Sequence, residues 1–361
     1  MDKKKIAFVL NGINGGGIDR VVTTFANELV RQGKYEVFLI LLHKRVHFFK
    51  VRPEVKIIEN EVLRNGSSKW KYTINTMAFI RKTIKKIKPD RIISNGEWLN
   101  SFVYLSAIGL KYPVYFADHS NPERKGQSPY PLLDKWIYPR VKGVLVLSEA
   151  AKQKIQRVFG QKNAFIIDNP VFFPVAKPVE KEDVIISMGR LSPEKGQDVL
   201  IKAFALTQGN WKLHLLGDGP VRPALEELVK ELGIQDRVVF LGLQQDIALH
   251  LSKAKIYVMP SHTENFPMAL IEAMAIGLPC VATNCMPWRG DDDFITPGEN
   301  GLKVPVNDHE QLAAGIDQLI QDEPLRSRLA ARALEIKTKY NLENIVENLI
   351  TSLALNSNGS E

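Results

Sequence analysis

The sequence predicts an α/β protein with two doubly wound domains that face each other across a cleft. Short apolar runs alternate with amphipathic segments along the chain, which is typical of parallel sheets covered by helices on both faces. The alternation stops near residue 170 and restarts near residue 184, after a segment that contains Pro174 and Pro178. A chain of 361 residues is long enough for two domains of ordinary size.

The first domain is predicted over residues 1–170. Its apolar, β-rich runs predict strands at residues 6–10, 36–42, 55–58, 91–94, 114–116, 144–147 and 164–167. Apolar residues at helical spacing predict helices at residues 18–31 and 70–88.

The second domain is predicted over residues 171–340, and residues 341–361 are predicted as a last helix with a polar, frayed tail. Strands are expected at residues 184–188, 212–216, 238–241, 256–261 and 280–283. Helices are expected at residues 197–206, 224–232, 246–251, 267–276, 309–321, 324–338 and 342–353.

Composition places the chain among soluble globular proteins, with 45% hydrophobic and 24% charged residues. No apolar run reaches the length of a membrane-spanning helix, and the apolar run after Lys5 is too short for a signal peptide. Cys280 and Cys285 lack the spacing of a metal site and are expected to be buried thiols in a reducing cytoplasm.

The net charge of +8 is divided unevenly along the chain. Residues 1–170 contain 30 basic and 14 acidic residues, whereas the remainder contains 18 basic and 26 acidic residues. This asymmetry predicts that the first domain meets an anionic partner and that the second does not.

Two carboxylates flank the predicted start of the helix at residues 267–276. Glu264 lies in the preceding loop and Glu272 in the second helical turn. The amides of Phe266, Met268 and Ala269 lie between them and favour an anion, while a carboxylate accepts hydrogen bonds from vicinal hydroxyls. The pattern fits a ligand with both hydroxyls and phosphates; a solvated Glu264 and a helix-face Glu272 are an equal alternative on periodicity alone.

The segment Glu264-Asn265-Phe266-Pro267, the spacing to Glu272 and the Gly277-Leu278-Pro279 exit resemble the donor-sugar segment of retaining glycosyltransferases of family 4. The resemblance implies the GT-B fold of two Rossmann-like domains, with a last helix that crosses back to the first domain. It also implies that Glu264 lies against the donor sugar and that Glu272 binds the nucleotide ribose. The backbone from Asn265 to Pro267 is then expected to contact the sugar and diphosphate.

Arg190 and Lys195 lie on the loop after the first strand of the second domain. A planar guanidinium and an ammonium both suit a diphosphate, although two solvated surface cations are an equal alternative without context. The resemblance implies that this pair neutralises the departing nucleoside diphosphate. It further implies that the backbone of Leu243 meets the nucleobase and that the turn at residues 217–220 shapes the cleft wall.

In the first domain, Gly16 and Gly17 stand in a glycine-rich turn before a helix. Such a turn is weak evidence alone, but it resembles the family's loop beside the donor diphosphate and the acceptor, with Asp19 where glutamate is usual. His119 follows a strand; a lone histidine is usually structural, but the family places a histidine near the donor sugar and the acceptor at this point, and the resemblance therefore implies a catalytic role for His119. Its neighbours Ser120 and Asn121 would bear on the acceptor.

No metal site is predicted, and a nucleotide sugar is expected as co-substrate without a further cofactor. The triplet Asp291-Asp292-Asp293 falls in a loop that follows the donor segment in family 4, and Asp293 is expected to align with that loop's glutamate. The family's usual basic or proline residues are missing at Asp291 and Asp292.

The expected enzyme is a retaining, metal-independent glycosyltransferase that uses a UDP-hexose or UDP-N-acetylhexosamine. One rival is a sugar-nucleotide epimerase of the same architecture, and another is a non-catalytic nucleotide-binding protein. A nucleic-acid binder is disfavoured because no recognition helix or aromatic platform accompanies the basic residues.

The helix at residues 70–88 is predicted to be amphipathic and basic. Met77, Ile80, Ile84 and Ile87 are expected to pack on the sheet, and the other faces carry a set of cations: Arg81, Lys82, Lys85, Lys86 and Lys88. The loop before this helix adds aromatic and basic residues: Lys44, Arg45, His47, Phe48, Phe49 and Lys50. Because each cation near an anionic leaflet adds about 1 kcal/mol of attraction, the first domain is expected to rest on the inner face of the plasma membrane. Members of the resembled family that elongate lipid-linked or cell-surface glycans dock in this way, so the resemblance implies a polyprenyl-diphosphate- or lipid-linked saccharide as the acceptor.

Overall fold

The structure, a computed structural model, describes residues 3–43, 47–61, 69–119, 130–171, 173–286 and 293–355. It divides into two compact units, one formed by residues 1–170 with residues 341–361 and the other by residues 171–340. Lys44, Arg45, Ser120, Asn121, Asp291, Asp292 and the tail predicted to fray lie outside the described residues.

The first unit is a doubly wound α/β layer. Its described strands are β1 (Lys4–Leu10), β2 (Tyr35–Leu41), β3 (Lys56–Glu59), β4 (Arg91–Asn95), β5 (Val114–Ala117), β6 (Gly143–Val146) and β7 (Ala164–Ile166). Over these residues they form one parallel sheet in the order β3-β2-β1-β4-β5-β6-β7. The helices that precede residue 170 are α1 (Gly17–Arg31), α2 (Lys69–Ile87), α3 (Glu97–Ala107), α4 (Pro131–Ile137) and α5 (Glu149–Phe159).

The second unit repeats the same construction. Its strands in the described ranges are β8 (Val184–Met188), β9 (Lys212–Leu216), β10 (Val238–Gly242), β11 (Ile256–Met259), β12 (Cys280–Thr283) and β13 (Leu302–Val304), arranged in parallel as β10-β9-β8-β11-β12-β13. Its helices are α6 (Gln197–Leu206), α7 (Arg222–Glu231), α8 (Ile247–Lys253), α9 (Met268–Ile276), α10 (His309–Gln321), α11 (Glu323–Ala333) and α12 (Ile336–Lys339). The predicted α/β fold with two parallel sheets is therefore confirmed.

Two local predictions in the second unit were incomplete. The single helix expected at residues 324–338 is interrupted between α11 and α12 at Leu334 and Glu335. β13 was not predicted, because a run of three residues is too short for alternation to be recognised. The cysteines were predicted correctly: both are buried, and burial raises the pKa of the Cys280 thiol above its usual range and that of Cys285 to about 12.

The last helix, α13 (Leu342–Ser352), packs within the first unit. Arg91, in β4, donates from Nε to the Leu353 carbonyl at 2.6 Å and from Nη2 to the Ala354 carbonyl at 3.0 Å. Arg31, in α1, pairs with Glu343 at 3.2 Å. An arginine on the sheet and another on a helix thus hold the two ends of α13.

Helix α2 is amphipathic as predicted. Ile80, Ile84 and Ile87 are buried in the core of the first unit, as expected for residues that face the sheet. Arg81 differs from the expectation of a solvated cation, because its Nη1 donates to the carbonyls of Ser106 and Ile108 at 3.0 and 2.7 Å. This guanidinium ties α2 to the carboxyl end of α3.

Candidate active site

Two loops of the second unit lie at the carboxyl ends of adjacent parallel strands. Residues 189–196 follow β8 and residues 260–267 follow β11, and the strand order reverses between β8 and β11. Such a reversal leaves a crevice beyond the strand ends, where open α/β sheets bind their ligands. Arg190 and Lys195 lie on the first loop, and Glu264 lies on the second.

The two loops are joined through their backbones. The His262 amide donates to the Glu194 carbonyl at 2.9 Å. Gly196 has φ +64°, and a Cβ at this position would lie 2.2 Å from the Pro260 carbonyl oxygen. Only glycine allows both the left-handed conformation and this close approach, so the sequence of the first loop fixes its contact with the second.

Lys195 and Glu264 form an ion pair across these loops. Lys195 Nζ lies 2.6 Å from Glu264 Oε1, and the two side chains are 28% and 11% exposed. Ser261 Oγ donates to the same carboxylate oxygen at 2.8 Å. The Ser261 carbonyl in turn accepts from Thr283 Oγ1 at 2.5 Å. The carboxylate is therefore held in one orientation at the edge of the site.

Sequence reasoning identified Lys195 and Glu264 but missed the direct contact between them, and it missed Ser261 and Thr283. A hydroxyl three residues before Glu264, at the end of a strand, was the available signal. It was not distinctive, because serine is common in loops of every kind.

Helix α9 begins beside Glu264. Pro267 is the residue immediately before the helix, whereas the sequence placed it in the first turn. The Met268 amide, expected to be open to an anion, donates to the Phe266 carbonyl at 2.9 Å, so that expectation was wrong. The first helical bond runs from the Ile271 amide to the Pro267 carbonyl, which leaves Ala269 and Leu270 as the amides that point from the helix start.

Phe266 and Asn265 occupy the turn that leads into α9. The Phe266 ring is buried and packs edge-on against Phe294 and Tyr340, with centroids 5.2 and 5.6 Å away. This aromatic cluster fixes the backbone before α9, while Asn265 is half-buried on the loop surface. The segment thus combines one anchoring side chain, Phe266, with a half-buried Asn265.

Glu272 lies in α9 and is fully buried. Burial raises the pKa of the Tyr257 hydroxyl, and nearby negative groups, Glu264 and Glu272 among them, raise it further. Both carboxylates that the sequence singled out therefore lie close to one buried tyrosine of β11. Glu264 lies on the loop before α9 and Glu272 lies within the helix.

Arg190 and Leu243 are both exposed in the second unit. Within the described residues, the Arg190 guanidinium has no carboxylate within 4 Å. Burial alone would raise the pKa of Glu194, but a hydrogen bond from Ser192 and the nearby charges of Lys195 and Arg190 lower it. Leu243 is 67% exposed and follows a register shift at the end of β10, which presents its backbone at the same sheet edge.

The turn after β9 closes tightly on the Arg190 loop. Gly217 has φ +140°, its amide donates to the Gly242 carbonyl at 2.9 Å, and a Cβ there would lie 1.9 Å from the Gly189 carbonyl oxygen. The glycine turn predicted to shape the site therefore contacts the Arg190 loop directly. Any side chain at Gly217 must push the two loops apart.

We expect Gly217→Ala to lower the free energy of unfolding of the second unit by about 1–3 kcal/mol more than Gly233→Ala. Gly233 is a matched control, since it also has positive φ, +65°, but nothing lies within 4 Å of the added Cβ. The control carries a left-handed backbone cost of about 1–2 kcal/mol and no clash, so the difference between the variants reports the clash together with the more extreme φ of Gly217. Urea unfolding of both variants measures the difference; equal losses would contradict the close approach.

In the first unit, Gly16, at the end of the turn after β1, is the N-cap residue of α1 and Gly17 is the first residue of that helix, and both are exposed. Asp19 folds back on this turn, and its Oδ2 accepts from the amides of Asn14 and Gly16 at 2.8 and 3.2 Å. The residue that departs from the family pattern therefore caps α1 and stabilises the turn.

His119 follows β5 in the first unit, as predicted. Both ring nitrogens are shielded from solvent. Burial lowers the pKa of the imidazole, while Asp118 and the neighbouring amide of Asn169 oppose that shift. The ring is therefore neutral near pH 7, so it can position a hydroxyl but carries no charge there.

The aspartate triplet is represented by Asp293 in the described residues. Asp293 Oδ2 pairs with Lys303 Nζ at 2.5 Å, and Oδ1 accepts from the Phe294 amide at 2.6 Å. This carboxylate supports the loop rather than facing a ligand. Across the described ranges, no group of three or more His, Cys, Asp or Glu side chains is arranged to hold a metal ion.

Comparisons with known proteins agree with this geometry. Residues 15–171 match the family described as Glycosyltransferase Family 4, and residues 168–335 match Glycosyl transferases group 1. A Haemophilus influenzae protein named as an uncharacterized glycosyltransferase is 30% identical over 351 residues, which cover 95% of this chain and 98% of that protein.

Two further similarities concern a named activity and a solved structure. The Campylobacter jejuni GalNAc-alpha-(1->4)-GalNAc-alpha-(1->3)-diNAcBac-PP-undecaprenol alpha-1,4-N-acetyl-D-galactosaminyltransferase is 29% identical over 360 residues, with 97% of this chain and 98% of that protein covered. Anabaena HepE, solved with UDP and glucose, superposes with a TM-score of 0.80 at 20% identity, over 98% of this chain and 100% of that chain.

Fold and site define a GT-B glycosyltransferase. The chain belongs to glycosyltransferase family 4, and the resemblance found in its motifs is confirmed. Among the residues that the structure describes, no helix is both long and apolar enough to cross a membrane.

Proposed function

We propose that this glycosyltransferase moves a hexose or N-acetylhexosamine from a UDP-sugar to a saccharide acceptor with retention of the anomeric configuration and without a metal ion. The second unit binds the donor and the first unit binds the acceptor. The acceptor is a polyprenyl-diphosphate- or lipid-linked saccharide of a bacterial surface glycan, and the enzyme works at the inner face of the plasma membrane.

The observation that carries the proposal is the ion pair of Lys195 with Glu264 beside the start of α9. A cation and a carboxylate 2.6 Å apart offer a phosphate-binding group and a hydroxyl-binding group in one place. A nucleotide sugar presents both chemistries within one molecule. The UDP of the Anabaena complex and the lipid-linked substrate in the Campylobacter name support the choice of donor and acceptor.

In the proposed reaction, the bond between the anomeric carbon and the diphosphate oxygen breaks as the acceptor oxygen attacks from the same face. The acceptor proton passes to the departing phosphate. Arg190 and Lys195 stabilise the negative charge that develops on the diphosphate, a role that metal ions have in other transferases. Glu264 orients the sugar by accepting from its hydroxyls, and the neutral His119 orients a hydroxyl from the first unit.

Donor binding and metal dependence test this function together. UDP-sugars should raise the melting temperature more than GDP-sugars, because a ligand that binds the native state stabilises it. Transfer should persist in EDTA, and NMR of the product should show the anomeric configuration of the donor. Activity that vanishes in EDTA and returns with manganese would contradict the metal-free proposal. Epimerisation of the donor without an acceptor would instead identify the rival activity.

A further inference from the structure

A cavity of about 460 Å³ lies in the first unit, at the edge of its sheet opposite the edge where His119 lies. It is lined by the residues that precede β5, β6 and β7 and by the end of α3. Because these strands are parallel, their starts lie at the amino edge, whereas His119 lies at the carboxyl edge. The cavity is therefore separate from the candidate active site of this unit.

The cavity is lined by cations without acids. Lys111, Arg140 and Lys142 contribute to its wall, and no aspartate or glutamate does. In the described part of the chain, none of the three has a carboxylate within 4 Å, whereas surface lysines elsewhere, such as Lys56 and Lys255, are paired. Three uncompensated charges around one pocket favour an anion.

Aromatic contacts hold one of these cations in place. The Arg140 guanidinium lies 4.5 Å from the centroid of the Trp136 ring, and Trp136 packs edge-on against Tyr104 at 6.4 Å. Arg140 uses one N–H on the Trp136 carbonyl, and a guanidinium has five in all. Trp136 is nevertheless 46% exposed, and Ile108 on the cavity wall is 44% exposed.

Helix α2 lies next to the wall of the cavity. Arg81 donates to the carbonyls of Ser106 and Ile108, which places α2 beside the cavity wall. Lys82, Lys85 and Lys86 on the same helix are exposed. Basic side chains and exposed apolar side chains therefore share one edge of the first unit.

We propose that this cavity binds the phosphate of an anionic phospholipid headgroup and fixes where the first unit docks on a bilayer. Lys111, Arg140 and Lys142 bind the phosphate, and Trp136 with Ile108 enters the interface between headgroups and acyl chains, which tryptophan favours. A soluble phosphate would bind the cations but would leave the exposed parts of the Trp136 and Ile108 side chains in water. The inference rests on the membrane association proposed above and adds its site.

Vesicle sedimentation tests the site, with phosphatidylcholine vesicles that either contain or lack phosphatidylglycerol, at low and high salt. The full-length protein should bind only the anionic vesicles, and less at high salt. Lys111→Glu with Lys142→Glu should reduce binding at least about tenfold, since each cation near the surface contributes. Trp136→Ala should weaken binding even at high salt. Unchanged melting temperatures would show that the variants are folded.

A matched control reverses two exposed lysines of the second unit, Lys202→Glu with Lys337→Glu, which changes the net charge equally. Wild-type binding in this control supports the site. If both double variants lose vesicle binding equally, net charge alone explains the binding and the proposed site is refuted. If the Lys111→Glu/Lys142→Glu variant binds vesicles normally and the Lys82→Glu/Lys85→Glu/Lys86→Glu variant does not, the cavity is not the lipid site. The protein then docks on the membrane through α2.

The source of the phosphate is decided by a soluble probe. If glycerol phosphate raises the melting temperature but the wild type does not sediment with anionic vesicles, the cavity binds a soluble phosphate and the lipid proposal is refuted. Neither vesicle result depends on the donor site, so UDP binding remains an independent test of the proposed glycosyl transfer.

Discussion

Replacing Lys195 by alanine should lower kcat by about 10²–10³, the loss typical when a group that stabilises developing negative charge is removed. Lys195 Nζ is held 2.6 Å from Glu264 Oε1, so the cation already occupies the crevice before a donor arrives. The variant loses this charge. Glu264 also loses its ion pair but still accepts a hydrogen bond from Ser261. Steady-state kinetics with a saturating UDP-sugar measures the effect.

Arg190→Ala should also lower kcat, and comparison with the Lys195 variant separates the contributions of the two cations to the rate. The Arg190 side chain is exposed, so its removal leaves the orientation of Glu264 unchanged. The Lys195 variant should therefore be the slower of the two. Lys202→Ala, an exposed lysine of α6, is the control for the loss of a positive charge in the same unit. A Lys195 variant that turns over as fast as this control would refute the leaving-group role.

The fold was predictable because its signals are local. Each predicted strand of the second unit is a short, mostly apolar run that is followed by a loop with glycine, proline or a charged residue. Parallel strands end at one edge, so predicting the strand before Arg190 and the strand before Glu264 also predicted that both residues lie near one crevice. Local periodicity and one topological rule were sufficient for that.

What the sequence did not predict depends on contacts between distant segments. Lys195 and Glu264 are 69 residues apart, and their direct pairing requires the close packing of Gly196 on Pro260. Arg81 fitted the pattern of a solvated helix face, yet the end of α3 supplies carbonyl acceptors that the pattern cannot contain. The Met268 amide bonds to the Phe266 carbonyl in a three-residue turn centred on Pro267, with φ −85° and ψ 69°, which helical periodicity does not reveal.

Replacing Glu272 by alanine should weaken UDP binding by about 10- to 150-fold, which corresponds to the loss of hydrogen bonds to a charged acceptor, about 1.5–3 kcal/mol. The proposed role of Glu272 is to accept from the two ribose hydroxyls. Glu272 is fully buried, so alanine also leaves a cavity and Glu272→Gln is needed as a variant of equal volume. Calorimetry with UDP measures both variants, and the glutamine variant should lie between alanine and wild type.

Comparing two nucleotides on the same variant makes this test independent of any change in the stability of the protein. The wild type should bind UDP more tightly than 2′-deoxy-UDP, and the preference should disappear in Glu272→Ala, because the carboxylate that distinguishes them is gone. Glu264→Gln should keep the preference and lower kcat instead, since Glu264 pairs with Lys195 and its proposed ligand is the sugar rather than the ribose. Ser261→Ala should lower kcat less than Glu264→Gln does, because Lys195 still holds the Glu264 carboxylate. If Glu272→Ala distinguishes the two nucleotides as well as the wild type does, the ribose is bound elsewhere.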